Sequence, residues 1–203
     1  MSINENMREQ FKNPQGLAGK IATTILNKQN ERPYQGAIKS LALQDNEVVA
    51  EIGFGNGYLL ERLAHDYHCL FYGIDISADM VELANERNDT FIKEQRMFLK
   101  VGDALKTGYE NDFFNKVFTI NTVYFWDDLE LGLQEMYRIL KTNGIFVNGV
   151  YTKEFLDTLP VANEGYIKYS LEVLKAVGLK VGFREVIINE VIKDKAYSIV
   201  YQK

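Results

Sequence analysis

Val48-Val49-Ala50-Glu51-Ile52-Gly53-Phe54-Gly55-Asn56-Gly57 is the stretch that decides the fold. An apolar run carries one carboxylate near its end, and three glycines follow at alternate positions. The apolar part reads as a buried parallel strand, and Tyr58-Leu59-Leu60-Glu61-Arg62-Leu63 as the first turns of a helix. Glycines at such a junction let the backbone turn tightly, so a ligand can lie against main-chain N–H groups at a helix N-terminus. That arrangement suits a nucleotide-like cofactor.

The spacing narrows the choice of cofactor. A dinucleotide fingerprint wants Gly-x-Gly-x-x-Gly. Here Gly53 and Gly55 fill the first two positions, Tyr58 stands at the third, and the extra glycine is Gly57. A nicotinamide-dependent oxidoreductase therefore leaves Gly57 and Glu51 unexplained. Working outward, Leu70-Phe71-Tyr72-Gly73-Ile74-Asp75-Ile76 reads as a second strand, ending in a carboxylate able to accept from both hydroxyls of a ribose. Ser77 caps a helix through Met80, Val81, Leu83 and Ala84. Met97 to Val101 is a third strand leading into Gly102-Asp103-Ala104, and Lys116 to Asn121 is a fourth, followed by Thr122-Val123-Tyr124-Phe125-Trp126.

Gly-x-Gly-x-Gly behind a carboxylate resembles motif I of the class I S-adenosylmethionine-dependent methyltransferases. The later segments fall in that family's order over residues 48–126. The resemblance continues through the helix and turn from Glu135 to Gly144, with Asn143-Gly144 in place of the more usual Pro-Gly. It implies a cofactor site of Glu51, Gly53, Phe54, Gly55, Gly57, Asp75, Ile76, Met80, Asp103, Ala104 and Asn121, with Asp103 in the acidic loop that meets the adenine amino group. It also implies an α/β fold: a doubly wound, mostly parallel seven-stranded sheet, order 3-2-1-4-5-7-6, last strand antiparallel, behind an N-terminal helical extension. The implied cofactor is S-adenosyl-L-methionine, leaving as S-adenosyl-L-homocysteine.

The remaining segments fit that plan. Asn13-Pro14 reads as a helix start, Leu17, Ile21, Ile25 and Leu26 as one helical face, and Arg32-Pro33 as an interruption. Tyr34, Ile38 and Leu41 mark a second short helix. Leu129, Leu133, Met136, Tyr137 and Leu140 share a helical face, and Gly144 to Val150 is the fifth strand. Ile167, Leu171, Leu174 and Val177 mark a helix ended by Gly178. Val181 to about Val191 and Ala196 to Gln202 read as a hairpin joined through Lys193-Asp194. No linker or repeat divides the chain, so the expectation is a single domain: residues 1–44 a helical lid or extension, 45–203 a Rossmann-like core.

Composition limits the partners. The 203 residues are 46% hydrophobic, enough for one substantial core. The single cysteine, Cys69, excludes an internal disulfide. The N-terminus does not read as a signal peptide, and no apolar run is long enough to span a membrane, so a cytoplasmic location is expected. Residues 1–40 carry six Lys/Arg and three Asp/Glu, and the rest 17 and 25, for a net −5. An acidic body is a poor partner for nucleic acid. Oligomeric state is not readable.

The expected chemistry is methyl transfer to a small-molecule acceptor by direct displacement. The runner-up is an S-adenosylmethionine-binding module without turnover. A sulfonium methyl is already activated, so the protein mainly aligns a nucleophile and excludes water. His65 and His68 have no ligand-spaced partner, and no metal is expected. Tyr124 and Asn121 are the catalytic candidates. Tyr34, Tyr124, Trp126 and Tyr151 are candidates to line the acceptor pocket, against a competing reading of aromatic side chains as core.

Overall fold

The computed structural model describes residues 30–162 and 165–203. The helix expected over Leu17, Ile21, Ile25 and Leu26, with its Asn13-Pro14 start, lies outside them. In chain order the elements are α1 (Glu31–Leu41), β1 (Val48–Ile52), α2 (Tyr58–Asp66), β2 (Leu70–Asp75), α3 (Ala78–Arg87), α4 (Asp89–Lys93), β3 (Met97–Val101) and β4 (Phe114–Ile120). A 3-10 turn over Val123–Phe125 leads to α5 (Leu129–Ile139), β5 (Leu140–Tyr151) and α6 (Lys153–Asp157). A second 3-10 turn (Pro160–Ala162), α7 (Leu171–Val181), β6 (Glu185–Ile192) and β7 (Ala196–Gln202) follow.

The seven strands form one sheet in the expected order, β3-β2-β1-β4-β5-β7-β6. Pairs from β3 to β5 are parallel, and β7 runs antiparallel to both β5 and β6. Alternation along each strand splits the core between the two faces. On β4, Val117 faces Leu133, Met136, Phe146 and Tyr201 under α5 and α7. Its neighbour Phe118 faces Val49, Leu60, Leu63 and Phe71 under the helices of the other layer. Both β4 residues are fully buried, and each such side chain contributes about 1.5–3 kcal/mol through removal from water. Lys203 fastens the far end of the sheet: its ammonium donates to the Tyr137 and Leu140 carbonyls and pairs with Asp112.

Four expectations are corrected. Pro33 does not interrupt a helix but sits in the first turn of α1, where a missing N–H costs little. Gly178 does not end α7, which continues to Val181 and stops at Gly182 with φ of 122°. Gly178 is there for packing: a Cβ on it would lie 2.5 Å from the Tyr201 ring. The strand expected from Val181 consequently begins at Glu185, and β5 begins at Leu140, before the Asn143 turn. Because β1 to β5 are parallel, their C-terminal ends open on one side, bringing Gly53, Asp75, Asn121 and Tyr151 to the same edge.

Candidate cofactor and acceptor site

The loop after β1 is held from beneath and open above. Gly53, Gly55 and Gly57 have φ of 75°, 57° and 71°, left-handed values that favour glycine. A Cβ on Gly53 would lie 2.5 Å from the Thr122 methyl, and one on Gly57 2.7 Å from both Ala84 Cβ and Asn88 Nδ2. Gly55 differs, since a Cβ there meets no atom within 4 Å. Two glycines therefore press the loop onto the fold, while the third faces open space. Asn88, fully buried, donates to the Gly57 carbonyl and ties the loop to the end of α3.

Two buried carboxylates flank this opening. Asp75 ends β2, accepting from the Gly55 N–H at 2.8 Å and from the Ser77 N–H at 2.9 Å. Burial pushes its carboxyl up to about 6, against the pull of those N–H donors. Glu51 on β1 is 4% exposed, and its Oε2 has no hydrogen-bond partner. Burial, followed by the charge of Asp75, holds the Glu51 carboxyl well above the usual carboxylate range. A buried carboxylate oxygen without a donor costs free energy, and a ligand donor would recover it.

A second polar group stands beside them at the ends of β4 and β5. Asn121, in a left-handed conformation with φ of 59°, donates through its amide to Asn30 Oδ1 at 3.1 Å. The Tyr151 hydroxyl donates to the same Asn30 oxygen at 3.4 Å. Tyr34 takes a hydrogen bond from the Asn30 side chain and lies within the field of Glu51. The Tyr124 hydroxyl accepts from the Tyr151 N–H and donates to Asn121 Oδ1 at 3.4 Å. Asn30 stands at the N-cap of α1 but makes no cap; its side chain is spent on joining α1 to the sheet.

The site candidates do not all gather. Gly53, Gly55, Gly57, Glu51, Asp75 and Asn121 line one edge. Ile76 follows Asp75 and is 51% exposed, while Asp103 and Ala104 occupy the loop after β3, where Asp103 accepts from the Leu105 N–H. Met80 is fully buried, and the Phe54 ring packs on Gly73, so these two support the loop from the core. Trp126 is also taken by the core: its ring stacks on Phe146 and covers Gly132, whose Cβ would lie 2.3 Å away. That placement packs Trp126 against α5 and β5. Tyr124 is buried, and that burial pushes its phenol well above its ordinary range.

Known proteins share this fold. Residues 50–148 match a family model described as a methyltransferase domain. An uncharacterised methyltransferase of Bacillus subtilis, YdaC, is 27% identical over 163 residues, covering 79% of this chain and 86% of that protein. The sterol 24-C-methyltransferase of Candida albicans is 24% identical, but the match covers 79% of this chain and only 42% of that enzyme. Among solved structures, phosphoethanolamine N-methyltransferase 2 of Haemonchus contortus, in complex with S-adenosyl-L-methionine, superposes with a TM-score of 0.79 at 16% identity. That superposition covers 97% of this chain and 60% of that one. Residues 50–148 carry a methyltransferase domain, and the fold around them is that of the class I S-adenosylmethionine-dependent methyltransferases.

S-adenosylmethionine is the cofactor of this methyltransferase class, and the residues present fit it. The orphaned Glu51 Oε2 is available to accept from an ammonium group, and Gly55 leaves room for a ligand at the loop backbone. Among the described residues no cluster of His, Cys, Asp or Glu is arranged to hold a metal, and no helix is long and apolar enough to cross a membrane. Sequence reasoning missed Asn30, Asn88 and Thr122. Only Asn30 left a trace, as an Asn ahead of Glu31-Arg32-Pro33.

Glu51 gives the methyltransferase a test of this assignment. Glu51→Gln keeps the shape and removes a buried acid, so the ligand-free protein should melt at the same temperature or a few degrees higher. The melting-point gain on adding S-adenosylmethionine should shrink. Thermal scans with and without cofactor check both; an undiminished gain would remove Glu51 from the site.

Proposed function

We propose that this methyltransferase moves the methyl group of S-adenosylmethionine to a small-molecule acceptor by direct displacement. The observation that carries the proposal is the open Gly55, set between the unpartnered Glu51 oxygen and Asp75 and beside the Asn30–Asn121–Tyr151 cluster. In this reading Glu51, Asp75 and the glycine loop hold the cofactor, with Asp103, Ala104 and Ile76 beside its base. The cofactor supplies an activated methyl group. Asn121, Tyr34 and Tyr151 orient the acceptor, and Tyr124 fixes the Tyr151 backbone. The net charge of −5 argues against a polyanion. Relatives named for a sterol and for phosphoethanolamine are enzymes of small molecules.

Residues 1–44 act as a lid in the same proposal. Asn30 supports it, because it joins the start of α1 to the ends of β4 and β5. A closed site keeps water from the displacement geometry. Deleting residues 1–30 should lower turnover at least ten-fold more than it lowers S-adenosylmethionine affinity. Labelled methyl transfer and calorimetry on the same sample compare the two. Equal losses would make the segment part of the cofactor site, and full turnover would remove the lid. Tight cofactor binding without transfer to any metabolite would favour a silent binding module.

A further inference from the structure

We propose that the acceptor atom is an amine nitrogen, bound between the Asn30 and Asn121 amides and the phenols of Tyr34 and Tyr151. The inference rests on the methyl-transfer reading above. It starts from the handling of protons. An alcohol must lose its proton as it attacks, which calls for a positioned base. The whole chain has two histidines. His65 lies in the last turn of α2 with its ring 4.9 Å from Phe91, and His68 precedes β2, at the opposite end of that strand from Asp75. Neither reaches the C-terminal edge. Among the described residues, the hydrogen-bonded side chains at the β4 and β5 ends include Asn30, Asn121, Tyr34, Tyr124 and Tyr151 beside the Thr119, Thr122 and Thr152 hydroxyls, and the two carboxylates of this edge, Glu51 and Asp75, are taken by the cofactor in the reading above. Burial raises all three phenols, which makes them donors and not bases.

An alkylammonium first gives its proton to water, and the neutral amine then needs no base to attack. Its lone pair forms the N–C bond as the C–S bond breaks, the bonding pair leaves with sulfur, and the positive charge passes to nitrogen. Any N–H proton is lost to water afterwards. The surroundings suit the charge that develops. The Asn30 and Asn121 carbonyl oxygens and the phenol oxygens are acceptors for N–H groups. The rings of Tyr34 and Tyr58 lie 6.1 Å apart and those of Tyr151 and Phe155 5.0 Å apart; Arg87 already lies over Tyr58 and Lys195 over Phe155, which leaves the Tyr34 and Tyr151 rings for a ligand ammonium. Asp75, ionised above about pH 6, adds negative potential from behind.

The test uses the full chain. Protein saturated with S-adenosylhomocysteine is titrated with tetramethylammonium and, separately, with tert-butanol, its neutral counterpart. Transfer from methyl-labelled S-adenosylmethionine is scored by mass spectrometry on matched series of amines, alcohols, thiols and carboxylates. Tetramethylammonium should bind at least ten-fold more tightly than tert-butanol, and label should enter the amines. Tyr151→Leu should weaken tetramethylammonium ten-fold or more, and Tyr151→Phe, which keeps the ring, less than three-fold. Equal affinity for the two probes overturns the proposal, as does the absence of label from every amine. Failure to bind S-adenosylmethionine at all would instead overturn the methyl-transfer reading itself.

Discussion

Gly55→Val should abolish S-adenosylmethionine binding in a protein that still folds, lowering affinity by at least a hundred-fold. The backbone there has φ of 57°, so a β-branched residue costs roughly 1–2 kcal/mol of strain, a tolerable part of an ordinary stability of about 5–15 kcal/mol. Space is not the obstacle, since a Cβ on Gly55 meets nothing within 4 Å. The valine would fill the volume that the cofactor needs against the loop. Gly57→Val is the contrasting case: its Cβ would strike Ala84 and Asn88 at 2.7 Å, and the fold itself should suffer. Circular dichroism with calorimetry separates them. A folded Gly55→Val protein that bound normally would leave the loop a structural role only.

The second large effect is expected at Asp75. Removing a carboxylate that accepts from a ribose should cost roughly 2–3 kcal/mol in Asp75→Ala, about 30- to 150-fold in affinity. Its carboxyl titrates at about 6 in the fold, against an ordinary 3.8. Acceptance of two hydroxyl protons needs the ionised form, so wild-type affinity should fall by up to about ten-fold per unit as pH drops below 6. Asp75→Ala should show no such slope. Stability of the ligand-free protein runs the other way. A folded value above the unfolded one makes the fold bind the extra proton, so this group's cost is absent below about pH 4. The cost grows as pH rises to 6, reaching on the order of 3 kcal/mol. Calorimetry across pH 5 to 7 reads the first effect, and denaturant unfolding across pH 4 to 7 the second. Affinity that stayed flat in the wild type would detach Asp75 from the ligand.

The sheet was legible because its signals are local. Alternation, the glycine spacing and the Lys193-Asp194 turn each lie within a dozen residues, and together they place the strands in order. The errors came where distant packing overrode a local rule. Gly178 reads as a helix stop, yet it is required by Tyr201, a neighbour far along the chain. Trp126 sits where a ligand-facing aromatic would be expected, but Gly132 and Phe146 make room for its ring in the core. The Asn30 link was the least visible feature. Its partners Asn121 and Tyr151 are 91 and 121 positions away, and no pattern in the amino-acid order joins them.

The place of β7 has a consequence for how the chain is made. Residues 196–202 are synthesised after both of their neighbours, yet they fill the gap between β5 and β6. A nascent chain lacking them holds two unsatisfied strand edges, at β5 and β6, of the kind that pairs with other chains. The C-terminal half of the sheet therefore completes only after release of its final strand from the ribosome, and early translational arrest would leave a species prone to aggregate. Refolding from denaturant should likewise be slow for a domain of this size, because the β1–β4 and β5–β7 pairings join distant segments.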